Sequence, residues 1–171
     1  MRPISWSEFE RHFERSKRAF HLELRDTYNV EQEREPLRTW LAGIPDDFAW
    51  RRDWLSFVRR ETDRGVQIQR VRVVNEPPSG YQRWARSLDP QNIDAGEDLR
   101  YLPRRLTDGI EFPLEDLWLF DDNHLLWSLF QPDGGAGGFA VEDDPAALAQ
   151  CIRARDQTWP RAVPYAQYVT G

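Results

Sequence analysis

The sequence predicts an α/β fold, with α+β as the alternative, built on a mixed central sheet of about five strands covered by helices. Aromatic residues at helical spacing open the chain, and alternating or β-branched runs then take turns with helical segments. Of the 171 residues, 40% are hydrophobic and 30% are charged, which is the balance of a globular protein long enough to bury a sizeable core.

The N-terminal part of the chain begins with a predicted helix that runs to about Arg18. Ser5 with Glu8, or Ser7 with Glu10, has the Ser-x-x-Glu spacing of a capping box, which satisfies free N–H groups of a first helical turn.

Residues 20–24 alternate between apolar and polar side chains, which predicts a short half-buried strand whose polar face is solvated. Helices are expected next over residues 30–42, closed by Gly43, and over residues 48–65, capped by Asp46 or Asp47.

The clearest strand in the sequence covers residues 66–74, which are rich in valine and isoleucine. Turn-forming residues punctuate the rest of the chain. The elements expected there are a helix from Ser79, a strand at 99–102, a hairpin of 117–120 with 125–130, a flexible glycine-rich loop at 134–138 and a last helix over 146–159.

This order of elements predicts an N-terminal helical segment, residues 1–64, packed on an α/β core formed by residues 65–171. The two parts are expected to fold as one cooperative domain.

Charge is unevenly distributed along the chain, although the net charge is only −6. The segment between Arg105 and Arg153 contains acidic residues and no lysine or arginine. A net negative protein is a poor general binder of nucleic acid, because contacts to phosphate supply most of the non-specific affinity.

The chain has neither an apolar run long enough to span a membrane nor the apolar core of a signal peptide, and Cys151 is its single cysteine. We therefore expect a cytoplasmic protein without a membrane partner. His12, His21 and His124 are too far apart in sequence to form a recognisable metal motif, so neither a metal nor another cofactor is expected.

Four carboxylates, at Glu115, Asp116, Asp121 and Asp122, are candidates for acid–base chemistry or cation binding, because carboxylates at the ends of adjoining strands can converge. The alternative is a solvated turn beside the edge of a sheet.

Four guanidinium groups form a candidate anion site. Arg70 and Arg72 share one face of the clearest strand, and Arg104 with Arg105 ends the next one. The alternative is a solvated sheet face with partial pairing to acidic residues.

Several stretches carry a resemblance to a known family: residues 65–74, 81–84, 95–104, 116–122 and 155–159. With them the chain, from about Phe9 to Tyr168, resembles a family of actinobacterial proteins known only as a domain of unknown function. Members commonly occur near helix-turn-helix regulators, which implies a regulatory partnership.

The order of elements is also similar to one half of the phospholipase D architecture. Active members carry His-x-Lys-x-x-x-x-Asp, in which histidine is the nucleophile and lysine holds phosphate. The histidine and lysine positions are occupied by Leu114 and Asp116 when the aspartate is Asp121, or by Glu115 and Leu117 when it is Asp122. The resemblance therefore implies a degenerate site that has lost this chemistry.

Three functions are hypotheses at this point. The first is a non-catalytic regulatory or adaptor protein that binds another protein, such as a helix-turn-helix transcription regulator, through an aromatic and charge-polarised surface. The second is an enzyme acting on a small molecule or phosphate ligand through the arginine and carboxylate clusters. The third is direct binding of nucleic acid through the arginines of the first 105 residues.

Overall fold

A computed structural model describes residues 1–170 and places eight strands of this part of the chain in one mixed sheet. The strands are β1 (Arg2–Ile4), β2 (Arg18–Glu23), β3 (Gln67–Val74), β4 (Asp98–Pro103), β5 (Asp116–Phe120), β6 (His124–Phe130), β7 (Ala136–Glu142) and β8 (Val163–Pro164). The α/β class is confirmed, and the sheet is larger than predicted.

Six α-helices accompany the strands within the same residues: α1 (Trp6–Arg15), α2 (Glu31–Leu41), α3 (Arg52–Asp63), α4 (Gly80–Asp94), α5 (Pro145–Thr158) and α6 (Tyr165–Tyr168). None of the helices in residues 1–170 combines the length and apolar character needed to cross a membrane.

Local capping signals account for the starts of α1 and α4, whereas α3 begins after Arg51 without a side-chain cap, so the predicted cap at Asp46 or Asp47 was wrong. Ser5 and Glu8 form a complete capping box at α1, so the first of the two predicted pairs is the one used. The same arrangement, Ser79 with Gln82, begins α4.

The strand order is β1-β7-β6-β5-β2-β3-β4-β8. β2, β3 and β4 run parallel, and every other neighbouring pair is antiparallel. Because β2 lies between β5 and β3, residues 1–64 supply a central strand as well as helices. The predicted division at residue 64 therefore does not separate a helical segment from the α/β core.

Of the glycine-rich run predicted as a loop, residues 134–135 lie outside the strands, whereas residues 136–138 begin β7. A Cβ on Gly137 would lie 2.9 Å from the carbonyl oxygen of Leu129, so β6 and β7 approach so closely there that only glycine fits. Gly138 has a φ of +88°, next to a register shift in the β6–β7 ladder. The two further unpredicted strands, β1 and β8, have three and two residues and are too short to show periodicity.

One face of the sheet is an apolar core contacted by α5. Its members share a pattern of alternate, fully buried positions on the central strands, including Phe20, Leu22, Val71, Val73, Leu117, Leu119 and Leu125. Cys151 of α5 packs among them.

The other face of the sheet changes character along the strands. At one end, Phe9 and Phe13 of α1 pack on Trp118 and Phe120, and Phe57 of α3 packs on Phe13. Towards the end of β2 and β3 the same face carries charged side chains. A cavity lies over this polar end of the face.

Candidate ligand-binding site

A cavity of about 670 Å³ lies between the polar end of the sheet face and the first four helices. Its walls are largely aromatic and include Trp6, Trp50, Trp54, Tyr81, Trp84, Phe130 and Phe139. Its floor is formed by His21, Glu23, Arg70, Arg72, Asp116, Trp118 and Ser128. The volume is within the range of small-molecule sites, and such sites typically combine apolar walls with a few placed polar groups.

The register of the strands brings the floor residues together. His21 on β2 is paired with Arg70 on β3 and with Trp118 on β5, and Glu23 is paired with Arg72. Residues two apart on a strand share a face, so these side chains form two adjacent rows across the sheet.

The two arginines of the floor are buried in a network of ion pairs. Arg70 contacts Glu97 through two hydrogen bonds, of 2.8 Å and 3.0 Å, and also donates to Glu23. Arg72 donates to Glu23 and, at 3.0 Å, to Asp89. Burial acts to raise the pKa of Glu23, but the attraction of the two guanidinium groups that it bridges outweighs burial and lowers the pKa to about 2.

His21 is the group in this network with unused hydrogen-bonding capacity. Its ring stacks on Trp118 with centroids 4.0 Å apart, and its Nδ1 lies 3.6 Å from a carboxylate oxygen of Glu23. Neither ring nitrogen makes a hydrogen bond to residues 1–170. Burial, assisted by the charge of Arg70, places the pKa of His21 well below its ordinary value, so the ring is neutral at physiological pH.

Asp116 lies on the floor beside these rows. Its carboxylate accepts a hydrogen bond from the Tyr28 hydroxyl at 2.5 Å and one from the backbone N–H of Leu24 at 2.9 Å. Burial raises the pKa of Asp116 to about 7 despite these hydrogen bonds. The group can hold or release a proton near neutral pH.

A third arginine, Arg51, reaches the cavity from a short 3-10 turn, residues 49–51, that precedes α3. It is 7% exposed and donates to the backbone carbonyl of Leu88 at 3.0 Å, to the side-chain oxygen of Gln91 at 2.6 Å and to that of Asn92. Burial and the positive charges of Arg70 and Arg72 lower the pKa of Arg51 to about 10.

The four arginines predicted as one anion site do not converge. Arg70 and Arg72 lie on the cavity floor, whereas β4 ends at Pro103 and the chain turns out of the sheet. Arg104 donates to the carbonyl of Leu24 and lies 3.3 Å from Asp26, and the exposed Arg105 donates to Glu76 at 2.7 Å.

The acidic cluster is also divided, because its two halves lie at opposite ends of β5. Asp116 faces the cavity, while Glu115 pairs with Arg25 at 3.0 Å. In the turn at the other end, Asp121 accepts hydrogen bonds from the backbone N–H groups of Lys17 and Arg18 at 3.0 Å and 2.8 Å.

Asp122 comes next in the same turn and pairs with Arg18 at 2.8 Å and with Arg155. These contacts tie the β5–β6 turn to β2 and α5. No group of three or more histidine, cysteine or acidic residues suited to a metal ion occurs in the part of the chain that the structure describes.

Sequence reasoning placed His21 and Glu23 on a solvated strand face, and this prediction was wrong. β2 is a central strand, so helices cover both of its faces. Arg51 was not predicted either. The sequence did contain one signal for the floor of the cavity. His21 and Glu23 alternate with apolar residues in one predicted strand, as Arg70 and Arg72 do in another.

The fold and the cavity define a class: a mixed α/β domain that encloses a polar, aromatic-walled cavity beneath four helices. The sequence profile of the family described as domain of unknown function (DUF6879) matches residues 7–170. The chain belongs to this family. No curated protein sequence matches it.

Proposed function

We propose that this domain binds a small organic molecule in the cavity above β2, β3 and β5. The observation that carries the proposal is a cavity of about 670 Å³ that joins an aromatic wall to a buried, charged floor. Burying so many ionised groups is costly, and a structural role alone would be served as well by apolar side chains of similar volume. A bound molecule supplies a reason to keep them.

The walls supply the apolar part of recognition. Trp50 and Trp84 lie nearly parallel, with centroids 5.9 Å apart, and Trp6 contacts Trp54 and Phe139 at the side of α1. Aromatic faces of this kind favour a ligand with a flat or largely apolar body.

The floor supplies the polar part. His21 presents a neutral imidazole, and Ser128 lines the cavity with a hydroxyl that makes no hydrogen bond to residues 1–170. Both groups donate or accept according to need. The ligand therefore carries polar groups at one end that satisfy them.

The proposal is tested by screening aromatic metabolites for those that raise the melting temperature and quench tryptophan fluorescence. Ser128→Phe fills the floor of the cavity and is expected to weaken each genuine ligand by about tenfold or more. Ser87→Phe, on the exposed side of α4, is the matched control and should bind as the wild type does. Hits that bind Ser128→Phe and wild type equally well would place binding elsewhere and contradict the proposal.

A second candidate function is the regulatory one, in which the domain binds another protein. A group of exposed apolar residues at and beyond the end of α2 supports it: Leu41 is 58% exposed, Ile44 is 54% exposed and Phe48 is 36% exposed. Because α2 packs on α4 beside the cavity, a ligand that moves α2 would alter this surface.

Protein binding is tested by affinity purification with a Leu41→Asp, Ile44→Asp double variant. Leu114→Asp is the control, since Leu114 is 95% exposed elsewhere on the surface. A helix-turn-helix regulator retained by wild type and the control but lost by the double variant supports this role. Equal recovery by all three would exclude this surface. The cytoplasmic location and the phospholipase D likeness stay predictions.

A further inference from the structure

The three buried arginines of the cavity differ in whether they contact a carboxylate. Arg70 and Arg72 have carboxylate partners, Glu23, Glu97 and Asp89, within 3.0 Å. Arg51, equally buried, has only neutral oxygen atoms as hydrogen-bond acceptors among the residues that the structure describes. A buried cation without a counter-ion is costly, because its water is replaced by partners that carry no opposite charge.

The carboxylates whose charges act on Arg51 are those of Asp89, Glu97 and Glu33, and each already accepts a hydrogen bond from another side chain. Asp89 accepts hydrogen bonds from Arg72 and Tyr101, and Glu97 accepts from Arg70. Glu33, on the cavity wall, accepts from the Tyr81 hydroxyl at 2.8 Å. None of these three forms an ion pair with Arg51 in residues 1–170.

Arg51 also has unused donors. Its Nη1 and Nη2 atoms make the contacts to α4, and its Nε makes none to the described residues. Arg72 likewise has an unpaired Nε, but that atom is sealed inside the protein, whereas the Nε of Arg51 is not. Arg51 therefore keeps an unpaired donor that is not fully sealed, and it is one of the residues that line the cavity.

The cavity is also lined by five carboxylates, those of Glu10, Glu23, Glu33, Asp53 and Asp116. Glu23 pairs with Arg70 and Arg72, and Asp53 is exposed to solvent. Burial raises the pKa of Asp116 and of Glu33, and both accept a hydrogen bond from a tyrosine hydroxyl. Their local hydrogen bonds satisfy them without a ligand cation. Arg51 is the buried arginine of the cavity that contacts no carboxylate in residues 1–170.

We propose that the ligand of the cavity is an organic anion, whose carboxylate, sulfonate or phosphate group binds Arg51 while its planar body lies against Trp50, Trp54 and Trp84. The inference rests on the proposed function and names its ligand class. An anion there gives Arg51 the direct ionic contact that no carboxylate in residues 1–170 makes with it, and charge-assisted hydrogen bonds of this kind are roughly twice as strong as neutral ones.

The test uses three probes with one ring system and three charges: 1-naphthylacetate, 1-naphthylacetamide and 1-naphthylmethylammonium. Isothermal titration calorimetry at low salt measures each affinity for the wild-type chain. The acetate is expected to bind about tenfold or more tightly than the amide, and the ammonium ion most weakly.

Arg51→Gln removes the charge and keeps a side chain that hydrogen-bonds. It should lower acetate affinity to that of the amide and leave amide affinity within about twofold. Arg52→Gln is the matched control, since Arg52 is the adjacent residue and is exposed. It should retain the wild-type preference.

The outcomes separate the two proposals. Binding of all three probes with equal affinity overturns the anion inference and leaves the proposed function standing. Failure of all three to bind overturns both. If Arg51→Gln does not fold, the wild-type charge series still decides, because a preference for the amide or the ammonium ion contradicts the inference without any variant.

Discussion

Replacing Glu23 by glutamine tests the buried charge network most directly. Glu23 is the carboxylate shared by Arg70 and Arg72, and its pKa is lowered from 4.5 to about 2. A depressed pKa means that the folded state favours the ionised form, so the stabilisation is complete above pH 4.5 and is lost as the pH falls through about 2. The difference in pKa corresponds to about 3 kcal/mol.

We therefore expect Glu23→Gln to lower the free energy of unfolding at pH 7 by about 3 kcal/mol. At pH 3 part of the contribution is already lost in the wild type, so the gap between the two proteins should narrow by about 2 kcal/mol. Urea unfolding followed by tryptophan fluorescence measures both values. Exposed Glu14→Gln is the control, with an expected change below about 0.5 kcal/mol.

Two results would refute this reasoning. One is a Glu23→Gln variant as stable as the wild type at pH 7. The other is a gap that does not change between pH 7 and pH 3, because the loss would then come from packing and not from the charge of Glu23.

Three further outcomes are expected. The free energy of unfolding of Asp116→Asn, taken relative to that of the wild type, should rise by about 2 to 3 kcal/mol between pH 5 and pH 8. The pKa of Asp116 is raised from 3.8 to about 7, so its contribution to the stability of the wild type is complete below pH 3.8 and is lost as the pH rises through 7. Urea unfolding at both pH values measures the difference. Gly96→Ala should lower the free energy of unfolding by about 2 kcal/mol or more, since its φ is +104° and the added Cβ would lie 2.6 Å from the hydroxyl oxygen of Thr62. Cys151 should react with a thiol reagent only after unfolding, because burial raises its pKa to about 12.

Each of these outcomes has its own contrary result. A parallel pH dependence of Asp116→Asn and wild type would show that Asp116 titrates as it does in the unfolded chain. Gly43→Ala has a similar positive φ but open space around the added Cβ, so an equal loss in both glycine variants would exclude the steric clash. Rapid labelling of native Cys151 would show that α5 opens readily.

The sequence predicted correctly those elements whose cause is local. The capping pairs of Ser5 and Ser79, the β-branched run of β3 and the hairpin of β5 and β6 each depend on residues within a few positions of one another. Periodicity reports which side of an element is apolar, and the α/β class could therefore be predicted.

The missed strands have non-local causes. β1 and β8 exist because β7 and β4 offer free edges to short segments far away in the chain. Gly137 and Gly138 near the start of β7 predict flexibility when read alone, but the segment is a strand because it pairs with β6 on one edge and β1 on the other.

The sequence by itself determined the fold class, most helices and strands, and the alternation that placed Arg70 and Arg72 together. Only the tertiary structure decided what these residues face. Whether the polar side of β2 is solvated or buried depends on strand order, and the partners of Arg70 and Arg72 come from β2, α4 and the segment before β4. Whether Arg51 is buried and which groups it contacts depend on how α3 and α4 pack against each other. The spacing of residues along the chain does not contain this information.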